Sequence, residues 1–354
     1  MRILNVADFN WMTGAERHRA SLCLFAIRRK FTNAATRANH LVVEFSDRAV
    51  ARMGAPLGLR GLGGAWANRR FLQVVDEFRP DLILLHFADA ITNRSLAETR
   101  RLSPGVTVAD INIDPIDTAK NQRRLALRAG VADALFVTTA EPGLGAHAGP
   151  GGFAAYLPNP VDAAGETGRA FETPAPAFDL LFPARDDSPR EIGAGFISPT
   201  AAAARLRASV PRLRLSTPGI GGEPPAEGHD YFLALQSARM GWALSRRATL
   251  PLYASDRMAH LFGWGLAVLI DHRVGFERFY RPEEAVFYDD LPDLAASLER
   301  LIADDAAARE IARAGWARTR ALFDSGRVLA YLLAQLFDEG GAQGYEWPCE
   351  RWRG

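Results

Sequence analysis

The chain has 354 residues, of which 48% are apolar and 23% charged, and its formal net charge is +1. That length suits two domains, each able to bury a core of its own, and the near-neutral balance excludes a global electrostatic footprint for nucleic acid or an anionic membrane. The only two cysteines, Cys23 and Cys349, lie at opposite ends, which argues against a disulfide scaffold or a cysteine metal site.

Arg2 to Ala7 reads as a short buried strand, Asp8 to Gly14 as a polar loop and Ala15 to Lys30 as a helix. Leu41 to Phe45 is a strand, and Trp66 to Phe78 a helix with Phe71, Leu72, Val75 and Phe78 on one side. Leu82 to Leu85 is a continuous apolar strand, Ile91 to Leu102 a helix, Val106 to Ile111 a strand, Thr118 to Ala129 a helix and Ala134 to Val137 a strand. Short strands alternating with helices signal βαβ units and a parallel sheet. The stretch from Pro158 to Pro176 is rich in Gly, Pro and Ala and reads as leading into an interdomain linker at 166–177.

The alternation then restarts. Phe178 to Phe182 and Arg212 to Leu215 read as strands, Asp230 to Arg239 as a helix, and Gly241 to Leu244 as a strand. Ser255 to Phe262 is a helix, Leu266 to Ile270 a strand, Glu284 to Tyr288 strand-like, and Leu291–Ala303, Asp305–Phe323 and Val328–Phe337 close the chain as helices. The expected organisation is 1–165, 166–177, 178–325 and a C-terminal helix and tail, 326–354, packing back on the first domain. Two doubly wound α/β domains of this kind face a cleft, and ligands bind outside the carboxyl ends of the strands.

Several enzyme signatures are missing. There is no P-loop, no Gly-x-Ser-x-Gly elbow, no His-Glu-x-x-His, no Cys-x-x-Cys and no Asp-x-Asp. The longest apolar run, Leu261 to Ile270, is too short to span a bilayer, and the N-terminus turns polar at Asp8 without a secretory apolar core. The expected location is cytoplasmic, with at most peripheral contact with the inner face of the membrane.

The densest chemistry lies in Leu252-Tyr253-Ala-Ser255-Asp256-Arg257-Met-Ala-His260-Leu-Phe-Gly263-Trp-Gly265, followed by Leu266 to Ile270. Ser255 or Asp256 can cap the helix that follows, whose N-terminus suits a diphosphate. Arg257 adds a planar fork that matches phosphate oxygens, and Asp256 can accept from ribose hydroxyls. Only Lys30 and Lys120 are lysines, so anion recognition here falls to arginine. Arg185 and Arg190, in the loop after the first strand of the second half, are further diphosphate candidates, as is Arg246 at the end of another strand. In the first half, Asp47 ends strand two, His86 strand three and Asp110 strand four, with His18, Asp89 and Asp114 in the adjoining segments. Asp47, Asp114 and His18 are the candidates for a general base that takes a proton from an attacking hydroxyl.

The stretch around Arg257 resembles the donor-site helix of group 1 glycosyltransferases with the GT-B fold, and is most similar to their spore-maturation-type branch. The pattern there is an Arg, a Glu three residues on, then a Gly and a buried strand. Arg257, Gly265 and Leu266 to Ile270 match it, while His260 stands where the Glu would be. The segment Phe276 to Tyr280, then Ala285 to Asp290, then Arg309 to Gly315, matches as well, with looser matches at Pro80-Asp81, Asp114 to Asp117 and Tyr156 to Asp162. The resemblance implies two Rossmann-like domains and metal-independent transfer of a sugar from a nucleotide-activated donor to a glycan or surface-polymer acceptor. It implies a donor site at Arg185, Arg190, Arg246, Tyr253, Ser255, Asp256, Arg257 and His260, with no metal and no nucleic-acid partner. Two alternatives stay open: a non-catalytic glycan- or partner-binding protein, which the replacement of the family Glu by His260 favours, and, on the same architecture, a nucleotide-sugar epimerase or hydrolase.

Overall fold

A computed structural model describes residues 1–9, 26–55 and 60–354. The chain forms two compact units, Met1–Pro158 with Ser325–Gly354, and Asn159–Asp324. No helix among the described residues is long and apolar enough to cross a membrane.

The first unit contains β1 (Arg2–Ala7), α1 (Ile27–Arg37), β2 (Leu41–Ser46), α2 (Asp47–Met53), α3 (Arg60–Phe78), β3 (Leu82–His86), α4 (Asn93–Leu102), β4 (Thr107–Asn112), α5 (Ala119–Arg128), β5 (Ala134–Val137) and β6 (Phe153–Tyr156). The strands make one parallel sheet in the order β2-β1-β3-β4-β5-β6. Leu82 to Leu85 are all buried, as a strand covered on both faces requires. Thr92 and Thr118 cap α4 and α5 by accepting from the amides of Ser95 and Asn121.

The second unit contains β7 (Phe178–Leu181), β8 (Arg190–Ile192), β9 (Gly195–Ile197), α6 (Pro199–Ser209), β10 (Leu215–Ser216), α7 (His229–Gln236), β11 (Ala238–Trp242), α8 (Asp256–Gly263), β12 (Ala267–Asp271), β13 (Val286–Tyr288), α9 (Leu291–Ala303) and α10 (Asp305–Phe323). Its main sheet is parallel, ordered β10-β7-β11-β12-β13, and β8–β9 is a separate antiparallel hairpin. The fully buried Trp242 donates from Nε1 to the Tyr288 hydroxyl at 2.8 Å, so the largest core side chain leaves no polar atom unsatisfied. The last helix, α11 (Ser325–Phe337), belongs to the first unit. There the Tyr331 hydroxyl donates to the Tyr156 carbonyl at 2.9 Å, and Trp352 in the tail exchanges two backbone hydrogen bonds with Ala154, covering the β6 edge.

Several elements differ from the sequence reading. Residues 166–177 are not a linker but part of the second unit, with Glu166, Ala170 and Phe171 buried in it. Composition misled here because arginines elsewhere in the chain satisfy the segment's carbonyls. Buried Arg239 donates to the carbonyls of Ala170 and Thr173 at 3.1 and 2.8 Å, and Arg309 donates to those of Phe171 and Pro174 at 2.9 and 2.6 Å. Arg239 itself lies in β11, not in the preceding helix. The helix expected over Ala15–Lys30 is described only from Ile27, and it runs on to Arg37. The short α2, β6, the β8–β9 hairpin and the Ala-rich α6 escaped the periodicity reading.

Candidate functional site

In the second unit the chain leaves β7 for β10 on one side of the sheet and returns to β11 on the other. The carboxyl ends of β7 and β11 therefore flank the topological switch point, where α/β sheets bind ligands. Arg257, in the first turn of α8, spans this point. Its Nε donates to the Pro183 carbonyl just beyond β7 at 2.7 Å, and its Nη1 to the Leu244 carbonyl just beyond β11 at 2.6 Å. The guanidinium also lies over the Phe182 ring, 5.6 Å from its centroid.

Arg190 comes to the same place from the β8–β9 hairpin. It is only 4% exposed, and its Nε has no hydrogen-bond partner. Among the described residues neither Arg190 nor Arg257 has a carboxylate within ion-pair distance. Burial and the neighbouring Arg257 charge lower the Arg190 guanidinium to about 9, with Asp186 and Tyr253 pulling the other way and Arg246 adding to the fall. Burial likewise lowers Arg257, against the opposing influence of Tyr231 and Tyr253. A buried cation beside a half-buried one is unfavourable without an anion, since each loses hydration and repels the other.

Of the other donor-site candidates, Tyr253 is buried beside these arginines. Asp256 accepts from Asn159 Nδ2 at 2.9 Å. Ser255 is the N-cap residue of α8 with extended backbone, but its side chain makes no capping bond, contrary to expectation. His260 lies one turn after Asp256, its Nδ1 3.1 Å from the Tyr231 hydroxyl. Arg246 forms an exposed ion pair with Asp186 at 2.7 Å, and Arg185 is exposed. These two stand outside the buried cluster. Tyr231 and Asn159 were missed as site residues; both lie outside the Arg257 stretch in sequence and reach it through the fold.

In the first unit the switch point lies between β1 and β3. Asp47 is fully buried at the start of α2; its Oδ2 accepts from the Ala90 amide at 3.0 Å, its Oδ1 has no partner, and burial raises it to about 6. This side chain is an internal group, not the accessible one expected. Asp114 is half-exposed, 3.5 Å from Arg124 Nη1. His18 lies outside the described residues. Polar side chains without partners recur at the carboxyl ends of this sheet's strands: both ring nitrogens of His86, Asp110 Oδ2, and the hydroxyls of Thr138 and Thr139, all buried. Burial lowers His86 to about 3 and raises Asp110 to about 6. Among the described residues there is no group of three or more His, Cys, Asp or Glu that could hold a metal ion.

Residues 201–334 match the family described as Glycosyl transferase-like. The solved structures similar to this chain include HepE of Anabaena, crystallised with UDP and glucose, at 14% identity and a TM-score of 0.60, with 95% of this chain and 99% of that one covered. Sucrose-phosphate synthase from Thermosynechococcus elongatus is similar at 15% identity and a TM-score of 0.57, again over 95% and 99%. AviGT4, a glycosyltransferase involved in avilamycin A biosynthesis, is similar at 16% identity and a TM-score of 0.56, over 94% and 96%. No curated protein matches the sequence. By its fold the chain is a GT-B protein of two Rossmann-like units, and its second unit carries most of a glycosyl transferase-like segment.

Proposed function

We propose that the protein transfers a sugar from a nucleoside-diphosphate sugar to a hydroxyl of a glycan or surface-polymer acceptor, without a metal ion. The observation that carries this reading is the carboxylate-free pair of buried Arg190 and half-buried Arg257 at the switch point of the second unit. A diphosphate supplies the anion that the pair lacks, and arginine forks match its oxygens. As the bond from the sugar carbon to the diphosphate oxygen breaks, charge gathers on that oxygen, and fixed guanidiniums stabilise it without reorganising. Two cations so placed supply the charge that a divalent ion supplies elsewhere. Asp256 and His260, one turn apart on α8, would face the ribose, with Ser255 and Tyr253 leading into that turn. The fold likeness to HepE, which is crystallised with UDP-glucose, supports a nucleotide-sugar donor. The spacing from Arg257 to Gly265 supports the spore-maturation-type branch.

The acceptor is assigned to the first unit. The partnerless His86, Thr138 and Thr139 groups at its strand ends suit a hydroxyl-rich ligand, which can both donate and accept. The new bond forms between the acceptor oxygen and the sugar carbon, and the hydroxyl proton must leave. Of the two described candidates for its base, Asp114 is the accessible one; Asp47 would hold the β2–α2 corner instead. The test is release of nucleoside diphosphate from UDP-, GDP- and dTDP-sugars in EDTA, with and without glycan acceptors. Acceptor-dependent release that Arg257→Ala lowers at least 100-fold is expected. No release from any donor, or release that Arg257→Ala leaves intact, would overturn the reading.

A further inference from the structure

Arg190 sits where it should not stay unaided. Its guanidinium is buried against the like charges of Arg257 and Arg246, and a short hairpin carries it, packed to the core through Ile192 and with its second strand exposed. Three residues long on each side, such a hairpin has little stability of its own. The next residue, Glu191, presents its carboxylate on the opposite face of the strand, as strand alternation requires.

That carboxylate collects four donors from outside the hairpin. Oε2 accepts from the Ala248 amide at 3.1 Å, the Thr249 amide at 3.3 Å and the Thr249 hydroxyl at 2.9 Å. Oε1 accepts from Arg273 Nη1 at 3.3 Å. Arg273 is in turn fixed by Asp271 at the end of β12, at 2.7 and 2.9 Å, and donates to the Gly193 carbonyl at the hairpin turn. The Glu191 amide closes the set by donating to the Arg246 carbonyl at 3.2 Å. Glu191 thus ties the hairpin to the segment after β11 and to the turn after β12.

We propose that Glu191 is a positioning residue: it fastens the β8–β9 hairpin so that the Arg190 guanidinium is held beside Arg257, ready for the diphosphate of a nucleotide. The inference rests on the nucleotide reading of this site. Side chains that carry binding groups need such fixing, because an anion gains less from a cation that it must first immobilise. Charge-assisted bonds to a carboxylate are strong enough to do it.

The experiment is a double-mutant cycle on the full chain, read by calorimetric titration with UDP and with uridine. Glu191→Gln keeps the shape but weakens the acceptor for Ala248, Thr249 and Arg273. It should weaken UDP binding about tenfold and leave uridine binding within twofold. In an Arg190→Ala background the same substitution should change UDP binding less than twofold, since there is no guanidinium left to position. Should Glu191→Gln fail to fold, Thr249→Val removes one donor and should weaken UDP binding two- to threefold only when Arg190 is present. Equal loss in both backgrounds, equal loss on UDP and uridine, or no loss at all overturns the positioning role. Failure of the unsubstituted protein to bind UDP, GDP, CDP or dTDP overturns the nucleotide reading itself, and with it this assignment.

Discussion

The Tyr231 hydroxyl lies 3.1 Å from Nδ1 of His260, the residue that stands where the resembled family carries Glu. Burial raises the Tyr231 phenol well above its ordinary value, so it remains protonated at neutral pH. In the tautomer in which the phenol donates to Nδ1, the ring proton sits on Nε2 and that nitrogen is a donor. A carboxylate at this place would accept from ribose hydroxyls, whereas an imidazole in that tautomer would donate to one. Tyr231→Phe should weaken UDP binding about three- to tenfold, the worth of one neutral hydrogen bond. Pyrophosphate binding should stay unchanged, because it has no ribose. Equal weakening of both ligands in calorimetry would show that the pair acts on the arginines instead.

Arg257 is tied to both edges of the switch point, and lysine cannot reproduce its two-direction fork. Arg257→Lys should therefore recover little of the activity lost in Arg257→Ala, remaining at least tenfold below the unsubstituted protein. Steady-state kinetics on the transferred sugar would show this mainly in kcat, if the guanidinium acts on the leaving diphosphate. A rise in KM alone would mean that it only binds the donor.

His86 and Asp110 give opposite slopes to the pH dependence of stability. His86 protonates near 6.5 in the unfolded chain but only at about 3 when folded, so stability is lost as pH falls below about 6.5. Asp110 has a folded value of about 6 against 3.8, so its ionisation opposes folding above about 6 and is relieved as pH falls towards 3.8. Asp110→Asn should be more stable than the unsubstituted protein at pH 7.5, by up to about 3 kcal/mol, with the gap closing near pH 4. Urea unfolding across pH 4–8 measures it. A gap that does not change with pH would remove the buried ionised carboxylate from the account.

Arg239 holds residues 170–173 against β11 with buried bonds and pairs with Asp305 at 2.7 Å. Arg239→Ala should destabilise the second unit by about 2–4 kcal/mol, because the carbonyls of Ala170 and Thr173 lose their donors. Denaturant unfolding of the full chain would register this as a lowered midpoint. An unchanged midpoint would restore the reading of 166–177 as a free connector.

Much of this protein was legible in its sequence because it is built of parallel strands buried on both faces. Leu82 to Leu85, Ala134 to Val137 and Ala267 to Ile270 are continuous apolar runs, and the helices between them carry caps such as Thr92, Thr118 and Ser198. Arg257 was legible too, because a helix start, a fork and a glycine pair coincide within ten residues. What escaped lacks periodicity. The β8–β9 hairpin is three residues a side, so alternation has no room to show. α6 carries a run of four alanines, which shows no contrast between an apolar and a polar face. Arg239 reads as the end of a helix, and only the fold reveals that it satisfies carbonyls nearly seventy residues away. Nor could local patterning tell that Asp47 is sealed inside while Asp114 is open, since both follow strands in the same way.

The central claim is that the second unit holds a nucleoside diphosphate on Arg190 and Arg257. Titration calorimetry with UDP, GDP, CDP and dTDP in EDTA, on the unsubstituted protein and on Arg190→Ala, tests it most directly. At least one nucleotide should bind with a submillimolar Kd, and Arg190→Ala should weaken it at least tenfold. Binding that Arg190→Ala does not alter, or no binding of any of the four at millimolar concentration, would contradict it.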